Sequence, residues 1–313
     1  MTIPSRRIPA IDITRALTMV LMIFVNDLWS LHNIPGWLEH VAYDTDGLGL
    51  AYVVFPAFLF IVGLSLPYAI DARRSRGESI RNLVVHVLSR TVALFVMGVF
   101  LVNGETIHEE ATGLSRHAWY TLSCASFILI WNDYPKTWRR AVVLALRMAG
   151  AAVLVLLAVI YRGGSGDELF APQWWGILGL IGWTYLVAGL VVVFVGERLV
   201  GLTGCWILFS IISILSAAGL MPEWVHVIPQ AISGGTLTAL TLGGVVTAVV
   251  VKRFHTSQPG RLYGVLVIAA LLLVMFTVLT HPLGGISKLR APPAWLFLCS
   301  ALTLVTFGVV YWV

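Results

Sequence analysis

The chain has 313 residues, 58% of them hydrophobic and only 11% charged, and its mean hydropathy is +0.90. Soluble domains carry about 25% charged and about 45–50% apolar residues, so this composition excludes a water-soluble protein and indicates one that crosses a membrane several times. The net charge of +5 does not point to nucleic acid, because membrane proteins collect Lys and Arg in their cytoplasmic loops.

A membrane-crossing helix needs about 20 mostly apolar residues. Ten such segments are predicted, roughly over residues 12–31, 49–70, 83–102, 117–132, 141–161, 174–195, 199–220, 233–252, 261–281 and 293–312. The fold class is all-α: a polytopic membrane helix bundle of about 10 transmembrane helices. The loops stay under about 20 residues and leave no room for a soluble domain. Ser5-Arg6-Arg7 resembles the start of a signal peptide, but no small-residue cleavage site follows, so the first helix is expected to be kept. Cys124, Cys205 and Cys299 each lie inside an apolar run, which argues against a disulfide framework.

Ten spans put both termini on one side. With the N-terminus in the cytoplasm, 16 basic residues fall inside and four (Arg116, Arg162, Lys288, Arg290) outside, a strong positive-inside signal. Ten of the 15 acids then fall outside, among them Asp27, Glu39, Asp44 and Asp46.

Taken in chain order, the first span carries Asp12 and Arg15 three residues apart, on one helix face, where they can simply pair. Its outer end breaks into "VNDLWSLHNIPGWLEH". Asn26 and Asp27 form either an interfacial helix end or a polar cavity open to the outside. His40 follows, then Asp44 and Asp46 in "YDTDGLG"; a carboxylate near an imidazole fixes its tautomer and raises its basicity. "DTDG" lacks the rest of an EF-hand loop, and no metal is expected. Pro56 and Pro67 interrupt the hydrogen-bond ladder of the second span. Arg90 and Arg147 lie in the inner halves of later spans, where they either snorkel to headgroups or meet a polyanion. Ser287 and Lys288 in "GGISK" lie on the outer side, as a capped helix boundary or as part of a binding site.

"IDITRALTMVLMIFVNDLWSLHNIPGWLEH", then "DG", then "VVFPAFLFIVGLSL" resembles the transmembrane acyltransferases of the heparan-alpha-glucosaminide N-acetyltransferase type. "SRTVALFVMGVFLVN", "QWWGILGLIGWTYL" and "GGISKLRAPPAW" extend the resemblance over nearly the whole chain in the same order. It implies a single transmembrane acyltransferase domain over residues 1–313, stopping one or two helices short of the usual C-terminus. It implies transfer of acetyl from cytoplasmic acetyl-CoA, as co-substrate, to the amine of a glucosamine-type sugar or polysaccharide across the membrane. The family's essential His falls on His40 and its Asn on Asn26. Asp27, Asp46, Ser287 and Lys288 would support the acceptor, and Arg90, Arg147 and Arg15 the phosphates of CoA. The implied location is the cell (inner) membrane, multi-pass, with the lipid bilayer as partner, no nucleic acid, and a hint of homodimers. Two departures stand out: Tyr52 replaces the family's usual Asp, and the loop after His40 is about two residues longer. A transporter or lipid flippase would also suit ten spans with broken helices. So would an inactive relative with an assembly role, given Tyr52 and the short C-terminus.

Overall fold

Prolines and polar caps set where the apolar runs begin and end. The computed structural model describes residues 8–28, 31–38, 46–254 and 258–312. Arg6, Arg7, Glu39, His40 and Asp44 lie outside them. Each of the ten predicted segments is a helix whose ends differ from the expected ones by at most four residues. They are α1 (Pro9–Asp27), α2 (Leu50–Arg74), α3 (Ile80–Glu105), α5 (Arg116–Trp131), α6 (Arg140–Ile160), α7 (Ile177–Val195), α8 (Leu199–Ala217), α10 (Thr236–Phe254), α11 (Pro259–Thr280) and α12 (Pro293–Trp312). Two single turns, α4 (Glu109–Thr112) and α9 (Gln230–Ser233), and a 3-10 turn, Glu223–Val227, lie in the connections. Proline opens α1 and α11, where its missing N–H has no intrahelical acceptor anyway.

Among the described residues nine helices are long and apolar enough to cross a membrane, one fewer than expected. The exception is α5. The Ser115 hydroxyl accepts from Ala118 N at 3.2 Å to start it, and "NDYP" follows its last residue, so only 16 residues remain. At 1.5 Å per residue that is about 24 Å, short of the roughly 30 Å hydrocarbon core. No strand forms among the described residues; isolated bridges join Ile107 to Gly163 and Gly163 to Glu168.

The chain divides into two compact units, with boundaries inside α3 and α7: Leu88–Gly182 is one, and the residues up to Val87 and from Trp183 onward are the other. In the first, Phe100, Trp119, Phe127 and Tyr161 pack an aromatic core with Phe170. Trp119 Nε1 donates to Phe100 O at 2.9 Å. The buried Asn103 side chain donates to Val99 O at 2.7 Å and Ala171 O at 2.9 Å, which ties the segment after α6 to the end of α3.

In the other unit, α2 and α10 meet backbone to backbone. A Cβ on Gly63 would lie 1.8 Å from Thr241 O, and one on Gly244 would lie 1.9 Å from Phe60 O. Small residues permit this approach, the usual device for helix association where lipid supplies no hydrophobic drive. At the C-terminal end of α2, Arg74 donates to Val193 O at 2.6 Å and caps α7. Lys252 binds Asp71 and, at 2.7 Å, Glu197, with its ammonium 4.6 Å from the centre of the Tyr68 ring.

Gly244→Val is expected to destabilise the detergent-solubilised protein by about 1–3 kcal/mol or more through overpacking. Gly204→Ala, whose added methyl meets nothing within 4 Å, is expected to be neutral or stabilising by up to about 1 kcal/mol. Melting curves of both variants check the pair of outcomes.

Candidate functional site

Two stretches far apart in sequence meet at the end of this second unit where α2 and α12 begin. The first is Asp46–Gly49, ahead of α2; the second is the loop 281–292 between α11 and α12. Asp46 Oδ1 accepts from Ile286 N at 2.7 Å, Asp46 Oδ2 lies 3.0 Å from His281 Nε2, and Gly47 N donates to Ile286 O at 3.1 Å. Gly285 makes this possible. Its φ is +66°, and a Cβ there would lie 2.8 Å from the Asp46 carboxyl carbon. The loop is held from below by a chain of hydroxyls. Ser213 Oγ lies 2.6 Å from Thr236 Oγ1, which donates to Ala291 O at 2.6 Å. Ala291 itself sits at φ 49°, a left-handed conformation that a non-glycine residue keeps only where its surroundings impose it.

Beneath the loop, α2 and α12 are joined by a bond that Pro56 makes necessary. Without an N–H, Pro56 leaves the Tyr52 carbonyl without its helical donor. Trp295 Nε1 donates to that oxygen at 2.9 Å and the Cys299 thiol approaches it at 3.6 Å, both buried. Tyr52 is itself buried, and Lys288 Nζ lies 5.8 Å from its ring centre and 5.8 Å from that of Phe55. Such distances fit cation–π attraction. Lys288 has no ion-pair partner among the described residues. Burial holds its ammonium pKa below the ordinary 10.5.

The remaining sequence-derived candidates are placed as follows. His40 lies outside the described residues. Asn26 and Asp27 are exposed at the C-terminal end of α1. Ser287 is buried and its Oγ accepts from Arg290 N at 3.4 Å, so its hydroxyl shapes the turn beside Lys288. Asp46, Ser287 and Lys288 therefore share one loop cluster. Arg15 pairs with Asp12. Arg147 is exposed with its guanidinium 5.9 Å over the Tyr134 ring, and Arg90 is exposed without an ion pair among the described residues. Sequence reasoning missed His281 and Trp295. The signal for Trp295 was present: Pro56 frees a carbonyl at membrane depth, which demands a donor from another helix. His281 carried none, since nothing local links "LTHP" to Asp46.

Fold and composition define the class: a multi-pass helical membrane protein. Residues 7–111 match the family described as heparan-alpha-glucosaminide N-acetyltransferase, catalytic. The chain is similar to the heparan-alpha-glucosaminide N-acetyltransferases of Mus musculus, 32% identical over 103 residues, and Homo sapiens, 30% identical over 101. These stretches cover 32% and 31% of this chain and 14% of each relative, so the match spans about one seventh of the relatives' length. The N-terminal third of the chain is thus similar to part of the family that the motifs resemble. Asn26, His40, Asp46, Tyr52 and Arg90 fall inside the matched stretch; Arg147, His281, Ser287 and Lys288 fall beyond it.

Trp295→Phe leaves the Tyr52 carbonyl buried without its indole donor and is expected to cost about 1–3 kcal/mol. Pro56→Ala restores a local N–H, so the double variant is expected to lose less than the sum of the two singles, by about 0.5–3 kcal/mol of coupling. Additive losses in unfolding free energy would remove the link.

A second prediction concerns pH. Between the lowered pKa of Lys288 and 10.5 the unfolded chain binds more protons than the folded one, so stability rises with pH across that window. Below that lowered pKa both states are charged and the cost of burying the ammonium is felt in full. Lys288→Met is therefore expected to raise the melting temperature at pH 7, with an advantage that shrinks towards pH 10.5. An unchanged advantage at both pH values would contradict the assignment.

Proposed function

We propose that the protein is an integral-membrane acetyltransferase that moves acetyl from cytoplasmic acetyl-CoA to the amine of a glucosamine-type sugar on the extracytoplasmic side. One observation carries this reading: the match of residues 7–111 to the family's catalytic region, with Asn26 and His40 inside it. If α5 crosses with the other nine helices, the positive-inside asymmetry supports a cytoplasmic N-terminus and an outer position for His40 and the loop 281–292. The cell (inner) membrane is the proposed location.

His40 supplies the group that titrates nearest neutral pH, at about 6.5 when unperturbed. In one route its imidazole takes a proton from the sugar amine, whose nitrogen attacks the thioester carbonyl; the tetrahedral intermediate then expels the CoA thiolate. In the other the imidazole attacks first, CoA leaves, and the acetyl-imidazole passes its acetyl to the amine. Base catalysis of this kind contributes roughly 10²–10⁴-fold. The amide of Asn26 is the proposed donor to the developing oxyanion.

Asp46 lies six residues after His40 and is tethered to the loop 281–292, which supports placing Asp46, Ser287 and Lys288, with Asp27, around the acceptor. For the phosphates of CoA, Arg90 is the foremost candidate, because Arg15 already faces Asp12 and Arg147 faces Tyr134. A homodimer is the proposed assembly, on the family resemblance alone.

Purified protein given labelled acetyl-CoA and glucosamine is expected to form N-acetylglucosamine. His40→Ala should lower the rate by roughly 10²–10⁴-fold, and Asn26→Ala by up to about 10²–10³-fold. Equal rates for wild type and His40→Ala would remove His40 from catalysis. No transfer to any amino sugar by the wild type would remove the acetyltransferase reading itself.

A further inference from the structure

A cavity of about 220 Å³ lies inside the second unit, lined by Phe60, Trp206, Gly243, Phe276, Ser300 and Leu304 among others. Gly243 and Ser300 stand seven residues inside α10 and α12, about 10 Å from the helix ends at 1.5 Å per residue. The cavity therefore sits at hydrocarbon depth, and most of its wall is apolar. Of the four lining residues with polar groups, Thr203, Trp206, Thr247 and Ser300, two stand apart. Trp206 Nε1 and Ser300 Oγ are buried and have no hydrogen-bond partner among the described residues. Ser300 is 2% exposed. Buried polar groups are nearly always paired, and inside a membrane the pressure to pair them is greater.

Gly243 keeps the indole N–H accessible: a Cβ there would lie 3.2 Å from the Phe60 ring and 3.4 Å from Trp206 Nε1. Thr247, also in the wall, already gives its hydroxyl to Gly243 O at 2.9 Å. On the α11 side, Leu272 is 47% and Phe276 38% exposed, so the wall reaches the surface that faces lipid. An indole N–H only donates, and a serine hydroxyl donates or accepts. Together they call for an acceptor oxygen on an otherwise apolar ligand entering sideways from the bilayer. The volume exceeds the roughly 150 Å³ that suffices for benzene in an apolar cavity, and fits part of a chain rather than a whole lipid.

We infer that this cavity binds a fatty-acyl chain from the bilayer, with its carbonyl oxygen held by Trp206 Nε1 and Ser300 Oγ and its first methylenes packed against Phe60, Phe276 and Leu304. The inference stands on the cavity and its two unpartnered groups and does not depend on acetyl transfer.

The probe is a long-chain fatty acid carrying a diazirine in its chain and an alkyne tag, cross-linked to the full chain in phosphatidylcholine nanodiscs and mapped by peptide mass spectrometry. Saturable labelling is expected on α8, α10, α11 and α12 near the lining residues, displaced by unlabelled palmitate. Trp206→Phe and Ser300→Ala, each removing one hydrogen bond, should raise the half-saturating concentration by about five- to tenfold. Ser300→Ala only deletes a hydroxyl and is expected to fold, so it keeps the test open if Trp206→Phe does not. Labelling spread over all lipid-facing helices, or not displaced by palmitate, would overturn the inference. So would a Ser300→Ala protein that melts higher than wild type while labelling with unchanged affinity, since the hydroxyl would then be an unpaired group and nothing more.

Discussion

A carbonyl that a proline has left without its donor holds the two ends of this chain together. In hydrocarbon no water can satisfy a backbone oxygen, so each freed group must find a partner within the protein. Pro56 frees the oxygen of Tyr52, and the indole of Trp295 answers from the last helix. The same requirement recurs elsewhere in this unit. Thr236 donates to Ala291 O, Arg74 donates to Val193 O, and Thr238 donates to Ala231 O. Each of these bonds crosses from one element to another, so they fix the positions of helices that apolar packing alone would leave free to slide.

The loop cluster above that bond is built from opposite ends of the sequence. Asp46 belongs to the stretch that matches the acetyltransferase family, while His281 and Lys288 lie well beyond it. The cluster's charges are arranged unequally. Among the described residues, the carboxylate of Asp46 has two partners, the Ile286 amide and the His281 ring, whereas the ammonium of Lys288 has only the faces of Tyr52 and Phe55. A cation held by rings stays available to a ligand with negative or acceptor character.

Much of the fold was legible in the sequence because a run of about 20 apolar residues has almost no alternative to a spanning helix. That logic located α2 through its prolines and α12 without any cap. It counted α5 among the spans on apolar content, although the predicted segment 117–132 is itself only 16 residues long. The Asp12–Arg15 pair was legible because three residues bring side chains to one helix face. The pairing of Asp46 with His281 was not, because it spans more than two hundred residues and leaves no local pattern. The turn made by Ser287 appeared in sequence as one of two readings, and the structure uses its hydroxyl for Arg290 N. The family match touches one side of the cluster only, which is why motif reasoning reached Asp46 and Lys288 separately and never their common loop.

The bond between Trp295 and Tyr52 also sets an order in time. The two residues are 243 positions apart. At roughly 5–20 residues per second, a ribosome needs on the order of ten to fifty seconds to travel from one to the other. Through that interval α2 exists with its proline break and without α12, so its first turn must be kept near water, within the insertion machinery or against other helices. The bundle can close at this end only after the start of α12 has been made.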